Sequence, residues 1–328
     1  MHRRIESAMT MMTDPRHFKL RLFIEGNIIG VATGMVIALF RYLLELSEEY
    51  LPVLYRWLPE HIAWIPVWFL LLAICGWVLY RIVRRDGMTS GSGIPQIKGI
   101  LLGEMDMNWA RVLVLKFFGA VLGIGAGMSL GREGPSVQLG ACLGQGLGRL
   151  THRSYAESHY LLTAGAGAGL AAAFNAPLAG VIFCLEELTK NFSAFVLMGA
   201  ISAAVTATTV TQYFFGMQPV FHMGVVPVID TGHMYILLIV LGAFVGLLGL
   251  AFNPMLTRSQ DFYKRIPARC RLLVPLFCAG ILGFLLPEIL GGGSRLVDSL
   301  VVTNYTMAFL VLLLVGKFLF TMICFGSG

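Results

Sequence analysis

Charge is what this sequence has least of. Asp, Glu, Lys and Arg supply 13% of its 328 residues, while hydrophobic residues supply 57%. A soluble domain carries about 25% charged residues, so a water-soluble enzyme is excluded. Disorder goes with it, since disordered chains need high charge and low hydrophobicity. The 38 glycines follow no three-residue period, which excludes collagen. Cysteine is too sparse for a disulfide scaffold. Most of the six, Cys75, Cys142, Cys184, Cys270, Cys278 and Cys324, lie in apolar runs without metal-ligand spacing and read as small packing residues. H-E-x-x-H, a P-loop and a nucleophile elbow are all missing, so no catalytic constellation, metal site or cofactor is expected. An N-terminal apolar segment with a cleavage site is missing too, so no removed signal peptide is expected.

What is there is apolar length. A helix needs about 20 residues to cross roughly 30 Å of hydrocarbon, and Ile62 to Tyr80, Tyr160 to Leu185, Phe192 to Ile229 and Met234 to Leu256 contain no Asp, Glu, Lys or Arg. Shorter uncharged runs, such as Gly26 to Phe40, Gly134 to Gly148 and Leu272 to Pro287, suggest tilted, broken or half-crossing helices. The class is an all-α polytopic membrane protein with the lipid bilayer as its surroundings. Basic residues before the first span (Arg3, Arg4, Arg16, Lys19, Arg21), after the second (Arg81, Arg84, Arg85) and in one late loop (Arg258 to Arg271) place those segments, and the N-terminus, inside. Glu45 to Glu60 and Gly216 to His233 read as outside. The net charge of +6 follows from this topology, and nucleic acid is not an expected partner.

The sequence also repeats itself. Gly30-x-x-x-Gly34 before Phe40 returns as Gly242-x-x-x-Gly246 before Phe252, an offset of 212 (242 − 30). The stretch around Lys116 returns around Lys317, an offset of 201 (317 − 116), and the same offset lays Gly91-Ser92-Gly93 on Gly292-Gly293-Ser294. One copy starts from an inside tail and the other after an outside loop, so the repeats are expected to be inverted, which places substrate sites where discontinuous helices meet. The expected division is a cytoplasmic tail at 1–22, a first repeat at 23–215, a connecting loop at 216–233 and a second repeat at 234–328. Adding 201 to Gly131 passes Gly328, so the second repeat is expected to be incomplete, through truncation at the C-terminal end.

Gly131-Arg132-Glu133-Gly134-Pro135 stands between uncharged runs at a helix start, with Pro135 suited to the first turn. Amides freed at such a turn face an anion. A carboxylate at mid-membrane costs about 2.5 to 3.5 kcal/mol on insertion scales, and one helix terminus returns about 0.3 to 1 and at best about 2. Glu133 must therefore share several helix ends or be protonated part of the time, which makes it an anion mimic with a switchable charge. Gly91-Ser92-Gly93-Ile94-Pro95 opens a second short helix, where a hydroxyl can donate to a weakly basic anion. Glu186 and Glu187 close an apolar run, and carboxylates so placed belong to proton or ion pathways or to a cytoplasmic cap near Lys190. Gly165-x-Gly167-x-Gly169 follows no strand, and close helix packing accounts for it.

On these residues the protein resembles the CLC family of chloride channels and proton/chloride antiporters, closest to the prokaryotic antiporters. The likeness rests on GSGIP at 91–95, GREGP at 131–135, AAAFNAPLAGVIF at 171–183 followed by Glu186-Glu187, and CFGSG at 324–328. It implies an inverted-repeat bundle of tilted, discontinuous helices that forms a homodimer in the inner or plasma membrane, with chloride and protons as its substrates. By the resemblance Ser92 coordinates chloride, Glu133 is the external gate and Glu187 the internal proton-transfer residue, which tilts the choice toward exchange. Ser92 favours chloride over nitrate. The family's third filter segment and a late tyrosine are expected beyond CFGSG. The alternatives are a passive chloride channel of the same fold or a transport-incompetent fragment.

Overall fold

The computed structural model describes residues 15–217 and 232–328, and every regular element among them is helical. Six of these helices are long and apolar enough to cross a membrane, so this is a multi-pass all-α membrane protein. Most of the connecting loop expected at 216–233 lies outside the described residues.

Contacts divide the protein into two units. The first gathers the described residues of Met1–Glu49, Arg81–Gly125 and Gly131–Val220, and the second those of Tyr50–Tyr80, Ala126–Leu130 and Phe221–Gly328. The units follow the two sequence halves except that residues 50–80 and 126–130 belong with the second. Helix α1, Pro15–Trp57, accounts for part of this interleaving. It is one uninterrupted helix of 43 residues, about 65 Å at 1.5 Å per residue. The expected boundary at residue 22 falls inside it, Gly26 to Phe40 is its continuous middle, and most of the stretch Glu45 to Glu60 forms its last turns. Hydropathy registers where charge begins, and a helix continues past that point when its backbone bonds stay internal.

In the first unit follow the end of α2 (Ile65–Arg85), then α3 (Ile94–Leu102), α4 (Trp109–Gly125), α5 (Glu133–Leu150), α6 (Tyr155–Phe174), α7 (Pro177–Phe183) and α8 (Ala194–Phe215). The uncharged run from Tyr160 to Leu185, expected as a single span, is two helices. Asn175, at φ 56°, caps α6 in the left-handed region and Pro177 opens α7, a stop and a start that hydropathy does not register. Ser154 and Glu157 open α6 with a reciprocal capping box. The core of this unit is the α5–α6 crossing. Gly140 and Gly165 face each other so closely that a Cβ on either would collide with the other's carbonyl, and Gly144 and Gly169 are pressed against the backbones of Leu161 and Ser136 in the same way. Small residues here let backbones meet where Leu would hold them apart.

In the second unit stand most of α2, α9 (Gly232–Lys264), α10 (Ala268–Arg271), α11 (Leu273–Leu285), α12 (Ser294–Val302) and α13 (Met307–Gly326). Tyr55 organises it: its hydroxyl donates to the Ala279 carbonyl at 3.2 Å and accepts from Trp68 Nε1 at 3.1 Å, and its ring packs edge-on against Phe284. The segment before GREGP is fixed in this unit, with the Ser129 hydroxyl 2.8 Å from that of Thr321.

The repeat shows itself in local geometry, with one correction of register. Gly91 and Gly93 have φ of 66° and 93°, and Gly291 and Gly293 have 67° and 93°. The loops therefore match at an offset of 200, not 201, and Ser92 corresponds to Gly292 rather than Gly293. Left-handed φ demands glycine at both outer positions, and that demand sets the register. In the first copy Lys116 Nζ donates to the carbonyls of Thr89 (3.0 Å) and Gly91 (2.5 Å). In the second Lys317 Nζ donates to those of Ile289 (2.9 Å) and Gly291 (2.7 Å). The glycine pairs of the long helices behave differently. A Cβ on Gly30 or Gly34 would lie 2.7 or 2.8 Å from the Ala203 or Ala207 carbonyl of α8, whereas Gly242 and Gly246 have nothing within 4 Å.

Candidate functional site

Two turns meet in the first unit. The turn Gly91–Gly93 feeds α3, with Gly93 as its left-handed N-cap and Pro95 in the first turn. The turn Gly131–Arg132 feeds α5, whose first residue is Glu133 and whose first turn holds Pro135. Gly134 seats one against the other: a Cβ there would be 2.8 Å from the Ser92 carbonyl oxygen and 2.9 Å from the Ser92 Cβ. Two helix N-termini, each with unpaired amides and a positive dipole end, thus lie beside the Ser92 hydroxyl. Ile94 N–H donates to Ser92 Oγ at 3.4 Å, a long bond that leaves the hydroxyl proton available. The Glu133 carboxylate folds back over Gly131, against the position a Cβ would take.

Gln138 supports the pairing from beneath. Its Nε2 donates to the Met88 carbonyl at 2.7 Å, and its side chain fills the space a Cβ on Gly93 would need. Lys116 holds the other side of the Ser92 turn through Thr89 and Gly91, with its ammonium buried. Neither residue was singled out from sequence, although a lysine inside an apolar run and repeated as Lys317 was a visible signal. A Cβ at Gly134 would push the Ser92 turn outward. Gly134→Ala is accordingly expected to destabilise the pairing of the two turns by about 1 to 3 kcal/mol, as thermal unfolding of the solubilised protein would measure.

Arg132 belongs to the second turn, and its side chain is held by a carboxylate. Its guanidinium points to Glu45, at 3.7 Å, and Glu45 is shared with Arg41 Nε at 2.6 Å. What Arg132 gives the turn is its backbone, whose carbonyl accepts from the Ser136 hydroxyl at 2.8 Å.

Glu186 and Glu187 stand apart from these turns, on the π-helical segment Cys184–Thr189 that continues α7. Both are exposed. Glu187 forms an ion pair with Lys98 of α3. The hydrogen bond and charge of Lys98, with a smaller contribution from Lys190, hold its carboxyl below the ordinary range. Among the described residues no group of three His, Cys, Asp or Glu side chains is placed to hold a metal ion.

A multi-pass helical protein in which half-length helices start at a shared polar turn, and whose turn-and-lysine arrangement occurs once in each unit, has the build of a membrane transport protein. This protein belongs to the CLC family: the family model described as "Voltage gated chloride channel" matches residues 71–328. It is 36% identical over 317 residues to the H(+)/Cl(-) exchange transporter ClcA of Vibrio cholerae, a match covering 92% of this chain and 66% of that protein. It is 33% identical to the protein of the same name from Citrobacter koseri, covering 94% of this chain and 67% of the relative. Among solved structures a slow cyanobacterial Cl-/H+ antiporter superposes with a TM-score of 0.84 at 31% identity, covering 94% of this chain and 74% of the other. A CLC-type fluoride/proton antiporter gives 0.77 at 25% identity. The sequence spans about two-thirds of the length of the curated relatives it matches. The family places it with ion transport rather than with enzymes.

Proposed function

We propose that the protein exchanges chloride for protons, with the anion held at the Ser92 turn between the N-termini of α3 and α5. The observation that carries this reading is the seating of Gly134 on Ser92, which brings the start of the helix that carries Glu133 to the Ser92 turn. Chloride and the ionised carboxylate then compete for one place. When a proton neutralises Glu133, the helix ends are free for chloride; when chloride leaves, the carboxylate returns. Linkage between the two ions follows from that competition.

Protons reach Glu133 from the other face through Glu187, with Glu186 beside it as an accessory carboxylate. Glu187 is exposed to solvent and is joined to the helix carrying the Ser92 turn through Lys98, which suits the entry of a proton path. The N-terminus is cytoplasmic in this reading, in agreement with the basic residues around α1, and two copies form a dimer.

The test is proton uptake driven by a chloride gradient in vesicles holding the purified protein. Uphill proton movement supports exchange, chloride flux without it indicates passive conduction, and neither flux indicates a protein that does not transport. For Glu187→Val, loss of proton movement with chloride flux retained is expected, and an unchanged exchange ratio would count against the assignment.

A further inference from the structure

The function proposed above uses Lys98 only as the link between Glu187 and α3. It sits on α3, one turn along from the residues that cap the Ser92 turn, and its ammonium pairs with Glu187 Oε1. A nine-residue helix thereby has the anion turn at its start and a proton-site carboxylate tied to its side.

The backbone under Glu187 is fixed and its side chain is not. Cys184 and Leu188 are buried, and Cys184 Sγ donates to the Thr163 carbonyl at 3.1 Å. The segment is π-helical and closes on Lys190 at φ 50°. Single π turns are rare and gather at functional sites. The Glu187 side chain itself is 50% exposed, so what holds its carboxylate on this base is the pair with Lys98.

Other groups around it do not replace Lys98. Helices α7 and α8, packed against the turn, carry no Asp, Glu, Lys, Arg or His. Helix α6 brings Glu157, which is engaged by Arg21 and Ser154, and His159, whose ring lies tilted against that of Tyr155. Glu186 neighbours it along the sequence, and Lys190 acts on it more weakly than Lys98.

We propose that Lys98 is a positioning residue that latches Glu187 in its charged form against α3, so that each proton taken up from solution first breaks this pair. The proton goes from hydronium to a carboxylate oxygen of Glu187, leaving water, while Lys98 keeps its own proton. The proposal rests on Glu187 being the inner proton carrier only for its physiological meaning; the latch itself is a property of the pair.

Carbodiimide adds to protonated carboxyls, so its rate of labelling at Glu187, read by peptide mass spectrometry at pH 6, reports the latch without any transport. In Lys98→Gln the rate is expected to rise severalfold, because without the partner charge more of Glu187 is protonated, while Lys98→Arg stays near the parent. Glu186, read from the same fragments, serves as the control and is expected to be unchanged. Equal labelling of Glu187 in Lys98→Gln and parent overturns the latch, and so does a rise shared equally by Glu186. The two readings fail separately. Shifted labelling together with normal proton flux in Glu187→Val would remove the proton assignment and keep the latch, and the opposite pair of results would do the reverse.

Discussion

Glu133→Gln is expected to bring proton movement down to that of protein-free vesicles while anion flux continues. The amide has nearly the shape of the carboxylic acid but takes up no proton near neutral pH, so it holds the site in the equivalent of the protonated state. Glu133 opens α5 and lies back over Gly131, at the turn where Gly134 meets Ser92. An ionised group there draws on the dipoles of two helix N-termini, at about 0.3 to 1 kcal/mol each in exposed settings and more where partly buried. Set against about 2.5 to 3.5 kcal/mol for a carboxylate at mid-membrane, two exposed helix ends fall short, and only partly buried ends at about 2 kcal/mol each reach it. Gln removes the titration and leaves the helix ends to chloride alone. A chloride electrode and an external pH electrode on one vesicle preparation read both fluxes, and proton pumping of parental size in Glu133→Gln would defeat the scheme.

Much of the fold and part of this site are legible in the sequence, for reasons that also explain what is not. Low charge and long apolar runs mark the spans because hydrocarbon penalises every ionised side chain. GREGP and GSGIP mark helix starts because glycine and proline have narrow backbone uses. Helix continuity is less visible. The run from Tyr160 to Leu185 is uniformly apolar, yet Asn175 and Pro177 break it, while the charged end of α1 stays helical through Trp57. The repeat register of the loop slipped by one residue because the offset of 201 was carried over from the lysines, whereas matching φ at Gly91 and Gly291 and at Gly93 and Gly293 fixes the backbone correspondence. Partners across the fold are the least legible. Arg132 with Glu45, and Lys98 with Glu187, are pairs separated by 87 (132 − 45) and 89 residues, and no local pattern announces which cation meets which carboxylate.

Gly165→Val is expected to remove most folded protein from the membrane fraction, a larger loss than any site substitution would cause. Gly165 and Gly140 are mutual neighbours: a Cβ on either lands well inside contact distance of the other's carbonyl oxygen, and the obstacle is backbone, which cannot rotate aside as a side chain does. Helices α5 and α6 would have to separate. Their separation would propagate, since Gly169 is pressed against Ser136 and Gly144 against Leu161 along the same crossing, and Ser136 lies in the first turn of α5 beside Glu133. Overpacking a core costs about 1 to 3 kcal/mol even where side chains can adjust; here the expected cost is at the upper end or beyond, comparable to a large part of a domain's net stability. The adjacent Ala164 and Ala166 are buried as well, so the added bulk has no void to enter. Thermal unfolding of detergent-solubilised protein, followed by size-exclusion chromatography, measures the loss. Glycine at 165 suits a helix interior poorly by propensity, and Gly165→Ala separates the two effects: intrinsic helix preference alone would raise the melting temperature, whereas the collision with Gly140 lowers it. A parental or higher melting temperature in Gly165→Ala would mean that α5 and α6 do not approach this closely.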